Sequence, residues 1–158
     1  MASFTVTAAA DVRAPVAHTF DVIVPVDLSL IFRGRWPLPA VVATRDQTGD
    51  WDGAGQTRAV VFSGGGSARE RLTGYERPRS FAYTVSDFGG VLGVLVSEAD
   101  GVWHFEDVSG AVTRVDWSYT FHSRSALTAP VVWLIARALW AGYMRDALRA
   151  SARIVESP

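Results

Sequence analysis

The chain contains no cysteine and no lysine. Without cysteine there is no disulfide framework, no thiol nucleophile and no thiolate metal site. Without lysine there is no Schiff-base chemistry on a side-chain amine, and all 15 basic residues are arginine. An excess of either charge is also missing. The formal net charge of −1 leaves no concentrated basic face of the kind that phosphate binding requires, so no nucleic-acid partner is expected. Long hydrophobic runs are scarce. The longest near-apolar stretch, Ala129 to Met144, contains Arg137 and is shorter than a bilayer span, so no stable membrane insertion is expected. The opening Met1-Ala2-Ser3-Phe4-Thr5-Val6-Thr7 has no basic segment followed by an apolar block. The reading is therefore a soluble, cytoplasmic protein.

What is present fits an ordinary globular chain. Its 158 residues, 49% hydrophobic and 20% charged, suit one domain over 1–158 that buries its own core. No internal repeat, low-complexity tract or linker interrupts it. Phe4 to Ala8 alternates as a first strand. Ala14 to Ile23 reads as a short helix with Pro15 in its first turn, ended by Pro25, and Asp27 caps a second short turn over Leu28–Phe32. Arg33 to Pro39 is a loop stiffened by Pro37 and Pro39. Strand patterns follow at Ala40–Arg45, Gln56–Phe62, Ser67–Tyr75, Ser80–Ser86, Val102–Glu106 and Thr113–Phe121, with Gly64-Gly65-Gly66 and Ser109-Gly110 as hairpin turns. Val91 to Val96 suits either strand or helix. The chain ends in a long apolar helix, Pro130 to about Val155, with Thr128 as its cap.

Alternation assigns faces. Val115, Trp117, Tyr119 and Phe121 share one side of the last strand. Trp103 and Phe105, and Phe81, Tyr83 and Val85, point the same way from theirs. After the triple glycine the inward set is Glu70 and Leu72, or else Arg69, Arg71 and Thr73. The first choice is simpler because it sends two arginines to water. It also sends a carboxylate inward, which needs a partner or a proton; Arg58 on the neighbouring strand and Tyr83 are the candidates.

Several segments together resemble the START-like superfamily that includes polyketide cyclases and dehydratases, the SRPBCC proteins. They are Val12-Arg13-Ala14-Pro15 leading into Val16–Val22, Tyr75-Glu76-Arg77-Pro78-Arg79-Ser80-Phe81-Ala82-Tyr83, Gly101-Val102-Trp103-His104-Phe105, and Thr113 to Phe121. The resemblance covers nearly the whole chain. It implies an α+β helix-grip fold: a curved antiparallel sheet of about seven strands around the C-terminal helix, two short helices near the N-terminus, and a cavity between sheet and helix. Members of the superfamily bind lipids, hormones or polyketides, some cyclise or hydrolyse their ligands, and others act through protein partners. No shared catalytic motif carries over to this chain.

The candidate ligand-binding set is therefore Trp36, Arg58, Glu70, Phe81, Tyr83, Trp103, Trp117, Tyr119 and Trp133. The aromatic members supply apolar surface, which core packing explains equally well. Glu70 with Arg58 is either a polar anchor for a ligand or an ion pair that pins a hairpin. The three histidines, His18, His104 and His122, lie on separate elements with neither His-x-x-x-His nor His-Glu-x-x-His spacing, so no metal site and no cofactor are expected. Gly-x-Ser-x-Gly is absent. The stretch Pro130 to Ala136 is apolar nearly all round, which fits a covered helix, a ligand entrance, a homodimer face or a membrane surface, the last disfavoured because the stretch lacks a basic flank. Three functions follow as expectations. One is binding of a small hydrophobic molecule, lipid or polyketide-like, in an internal cavity. Another is a cyclase or dehydratase that moves a proton with Glu70 or Tyr83. The last is an interaction module using the apolar helix face.

Overall fold

The computed structural model of the chain describes residues 2–158. Its strands are β1 (Ser3–Val12), β2 (Val41–Arg45), β3 (Thr57–Phe62), β4 (Ser67–Glu76), β5 (Ser80–Ser86), β6 (Val96–Asp107) and β7 (Thr113–Ser123). They form one antiparallel seven-stranded sheet in the order β1-β7-β6-β5-β4-β3-β2. Between β1 and β2 lie α1 (Val16–Ile23) and a single 3₁₀ turn, Leu28–Leu30; α2 (Gly90–Leu95) precedes β6. The C-terminal helix is continuous but not uniform. It runs as α3 (Ala129–Leu134), a π-helical turn over Ile135–Trp140, and α4 (Ala141–Glu156). A curved sheet gripping a long terminal helix is the helix-grip architecture.

Alternating side chains account for the strands. Along β7, Val115, Trp117, Tyr119 and Phe121 are buried while Arg114 and Asp116 are exposed. On β4, Ala68, Glu70 and Leu72 are buried and Arg69 and Arg71 face water, the simpler of the two facing schemes. Register breaks between Leu72 and Gly74 in β4, and between Val96 and Glu98 in β6, interrupt the ladders where the sheet bends.

The capping expectations divide. Asp27 accepts a hydrogen bond from the Ser29 amide at 3.0 Å, as its position before a short turn implies. Pro15 stands one residue before α1 rather than inside its first turn. Thr128 stands at the start of α3, but its hydroxyl contacts the Leu95 and Ser125 carbonyls, at 3.2 and 3.0 Å, instead of helix amides. That contact ties α3 to the end of α2. The ambiguous Val91–Val96 segment is mostly the helix α2, and Val96 opens the next strand.

Two packing zones flank the helix. At one end α4 lies against β1 and α1. The small residues Ala147, Ala150 and Ser151, all buried, allow a close approach, and Ser151 donates back to the Ala147 carbonyl at 2.8 Å. Phe20 of α1 makes edge contacts with Tyr75, Phe81 and Phe105, closing this end of the sheet. At the other end, sheet and helix separate and enclose a cavity.

Candidate functional site

The cavity has a volume of about 560 Å³, within the size range of small-molecule sites. Each element contributes for a local reason. The concave face of β3 to β7 supplies Val60, Glu70, Phe81, Tyr83, Val85, Trp103, Tyr119 and Phe121. The helix supplies Ile135, Leu139, Trp140 and Tyr143. The π turn falls among these residues, and widened turns of this kind change which side chains a helix aims at its neighbour. The loop after the 3₁₀ turn supplies Phe32, Pro37, Leu38 and Pro39, and α2 with its approach supplies Phe88, Val91, Leu92 and Leu95.

The loop at 33–39 is held to the helix by polar contacts. The Tyr143 hydroxyl donates to the Pro39 carbonyl at 2.6 Å and accepts from the Gly34 amide at 3.0 Å. Arg35 pairs with Asp146 at 2.7 Å across the surface of Gly142, where any Cβ would lie 2.9 Å from the Arg35 Nε.

Among the described residues lining the cavity, Arg58 and Glu70 are the only charged ones, and they face each other across the β3–β4 register. The Arg58 Nε and Nη2 both donate to Glu70 Oε1, at 3.0 and 2.6 Å. Both side chains are buried. Behind them, the Trp51 ring lies 3.9 Å from the guanidinium carbon, a cation–π contact that shields the charge from solvent. Trp51 holds a left-handed backbone conformation, φ 59°, to reach this place. That is an unusual state for a bulky residue and requires support from its surroundings.

The second polar feature is Tyr83. Its hydroxyl oxygen accepts the indole N–H of Trp117 at 3.1 Å and of Trp103 at 3.4 Å. Burial, then the Glu70 charge, push the phenol well above its ordinary pKa, and the two indole bonds offset only part of this. Tyr119 is raised as well, again mainly by burial. At neutral pH both are neutral phenols, suited to donating a hydrogen bond rather than taking a proton.

The structure thus brings Arg58, Glu70, Phe81, Tyr83, Trp103 and Tyr119 around one cavity. Trp117 lies one layer deeper. It is 1% exposed, stacks on Trp103 at 4.5 Å between centroids, and donates to the Tyr83 hydroxyl. Trp36 and Trp133 lie elsewhere, which corrects the expectation that they line the pocket. Trp36 is 93% exposed, because the rings of the following prolines and Leu38, not its indole, turn inward. Trp133 is 48% exposed on the outer side of α3, with the Arg137 guanidinium 5.9 Å from its ring. The candidate set omitted Phe32, Leu139, Trp140 and Tyr143. Their signal was the clustering of Trp140 and Tyr143 on the last helix, three residues apart and so on one face.

His18 contacts the Val155 carbonyl at 3.3 Å, away from the cavity. On the other face of the sheet, strand pairing gathers what sequence spacing had separated. The ligand atoms of Glu98, Asp100 and His122 lie within 4.8 Å of one another. Both ring nitrogens of His122 already have partners, Asp100 at 2.7 Å and Ser3 at 2.8 Å, so the group reads as a surface hydrogen-bond network.

A family model described as polyketide cyclase / dehydrase and lipid transport matches residues 2–156. The chain belongs to this family. Solved structures share its architecture at low sequence identity. Truncated norcoclaurine synthase from Thalictrum flavum superposes with a TM-score of 0.73 at 15% identity, over 99% of this chain and 96% of that one. Ara h 8.0201 gives 0.67 at 16% identity, over 99% and 100%. XoxI from Bacillus cereus gives 0.64 at 16% identity, over 97% and 96%. These likenesses establish the fold alone. No curated protein matches by sequence. No helix among the described residues is long and apolar enough to cross a membrane.

Proposed function

We propose that the protein binds one small, largely apolar molecule in the cavity between its sheet and its C-terminal helix. The observation that carries this reading is an apolar cavity of about 560 Å³ whose only charged lining residues among those described, Arg58 and Glu70, are each other's partners. Unfilled apolar space of this size sacrifices packing that a purely structural core would keep. An interior whose charges cancel, lined largely by apolar and aromatic side chains, instead favours a hydrophobic guest. The family description, with its lipid-transport and polyketide terms, points the same way.

The cyclase or dehydratase alternative needs a group free to move a proton. Glu70 is engaged by two guanidinium N–H bonds and Tyr83 is a neutral donor, so binding without chemistry is the reading preferred here. A homodimer is the second reading, favoured by one observation. Val91, Val94, Leu127, Val131, Trp133 and Leu134 are exposed on and beside the neighbouring helices α2 and α3. Sedimentation analysis tests it, since a monomer at high concentration would refute it.

Native mass spectrometry of the purified protein, before and after denaturation, tests the binding function. An adduct of small-molecule mass that is lost on denaturation is the expected result. Protein that stays bare after incubation with a mixture of apolar metabolites counts against the reading.

A further inference from the structure

The geometry points to Tyr83 as a dedicated hydrogen-bond donor that selects neutral ligands carrying an acceptor, a carbonyl or an equivalent oxygen, on an otherwise apolar body. This inference rests on the cavity being a binding site and adds to it the chemistry of the ligand's polar end.

The argument starts from valence. A phenol oxygen offers two acceptor positions and one proton. Both acceptor positions of Tyr83 are taken, by the indole N–H groups of Trp103 and Trp117. Among the described residues, no hydrogen bond uses the Tyr83 proton. Glu70 is on the same face, one diagonal step away, since Tyr83 pairs with Leu72 and Val85 with Glu70. Yet the carboxylate is turned to Arg58 and makes no hydrogen bond with the phenol. The proton therefore has the cavity as its remaining direction. Indole donors cannot accept in return, so their two bonds orient the phenol one way and polarise its O–H, strengthening it as a donor.

Charge narrows the class further. Arg58 and Glu70 neutralise each other, leaving no unpaired lining charge to meet an ionised ligand group, and burying such a group without a counter-ion is costly. A neutral acceptor avoids that cost while meeting the unused Tyr83 proton; the Trp140 indole N–H, on the helix side of the same cavity, is a second buried donor without a partner among the described residues. The tyrosine is held in place from below by Gly101, its direct cross-strand partner, and from the sides by Phe81 and Tyr119, with ring centroids at 6.0 and 6.4 Å.

The test is a matched pair of probes, methyl naphthyl ketone and its isopropenylnaphthalene isostere, which differ in the carbonyl oxygen alone. Binding to the wild-type protein and to Tyr83→Phe is measured by tryptophan fluorescence titration. The wild type is expected to prefer the ketone by about tenfold, the scale of one net hydrogen bond. Tyr83→Phe is expected to bind both probes alike. Equal binding by the wild type, or a preference that survives in Tyr83→Phe, overturns the role of Tyr83 while leaving the cavity intact as a binding site. Binding of neither probe removes the cavity reading itself, and this inference with it. Infrared spectroscopy of the ketone on the wild type needs no variant. A carbonyl stretch moved to lower frequency than in alkane solvent is expected, and an unmoved stretch overturns the proposal.

Discussion

Gly101 lies directly beneath the ring of Tyr83. A Cβ at position 101 would come within 2.2 Å of the Tyr83 Cζ and 2.5 Å of its hydroxyl oxygen. The glycine is thus the space into which the phenol folds to meet Trp103 and Trp117. Position 101 pairs with Tyr83 on one side and Tyr119 on the other.

Gly101→Ala is expected to force the Tyr83 ring off its place and destabilise the protein by about 1–3 kcal/mol, the usual cost of overpacking. Urea denaturation followed by circular dichroism measures this. Unchanged stability would mean that the ring moves aside freely and is not fixed by the glycine.

Tyr83→Phe removes the acceptor shared by two buried indoles. Each indole N–H left unpaired costs on the order of 1–3 kcal/mol, so the variant should be less stable than a simple hydroxyl deletion on a surface. The near-ultraviolet circular dichroism of the tryptophans should change with it. A spectrum and midpoint like those of the wild type would show that the indoles find other acceptors.

Arg58 and Glu70 should behave as one unit. Arg58→Met alone, or Glu70→Leu alone, strands the other charge in a buried place and should cost about 3–5 kcal/mol. The double variant should recover most of that loss, because a matched apolar pair needs no charge compensation. Additive losses in the double variant would instead assign each side chain its own separate contacts.

The buried phenols make stability fall in alkali. Tyr83 and Tyr119 have pKa values raised above the ordinary 10.0, mainly by burial. The folded state therefore keeps its protons where the unfolded chain loses them. Their contribution is complete below about pH 10 and declines as pH rises above the unfolded value, by up to about 1.4 kcal/mol per pH unit for each tyrosine. Denaturation midpoints from pH 9 to 11, read beside phenolate absorbance, check this, both pH values being chosen to bracket an ordinary tyrosine at about 10. Two tyrosines that ionise normally in the folded protein would contradict it.

Much of the fold was legible because β-strand alternation is a local signal. The faces of β5 and β7, the candidacy of Arg58, beside Tyr83, as the partner of Glu70, and the long terminal helix all follow from residues read in order. Other features depend on contacts far apart in the chain. Strand β6 starts at Val96, well before the expected Val102, and Gly101 sits inside it with the Tyr83 ring in the space a side chain would fill. Val91 to Leu95 is a short apolar run that suits either structure, and its helix is settled by the chain around it. Trp36 and Trp133 were misassigned for opposite reasons. In the first case two prolines take the inward positions. In the second, Val132 and Ala136 occupy the buried face of the helix while Trp133 looks outward. The cavity wall formed by Leu139, Trp140 and Tyr143 depends on how the helix meets the sheet, which periodicity alone does not reveal.

The central claim is that the space between sheet and helix holds an apolar guest. Its most direct test compares the wild type with a cavity-filling variant, Val60→Phe with Val85→Phe, both positions lining that space. Saturable one-to-one quenching of tryptophan fluorescence by methyl naphthyl ketone is expected for the wild type. In the filled variant that quenching should be lost or weakened by about tenfold or more, the scale expected when apolar contact area is excluded, while cooperative unfolding is retained. Equal binding by a folded, filled variant would place the guest elsewhere and contradict the account.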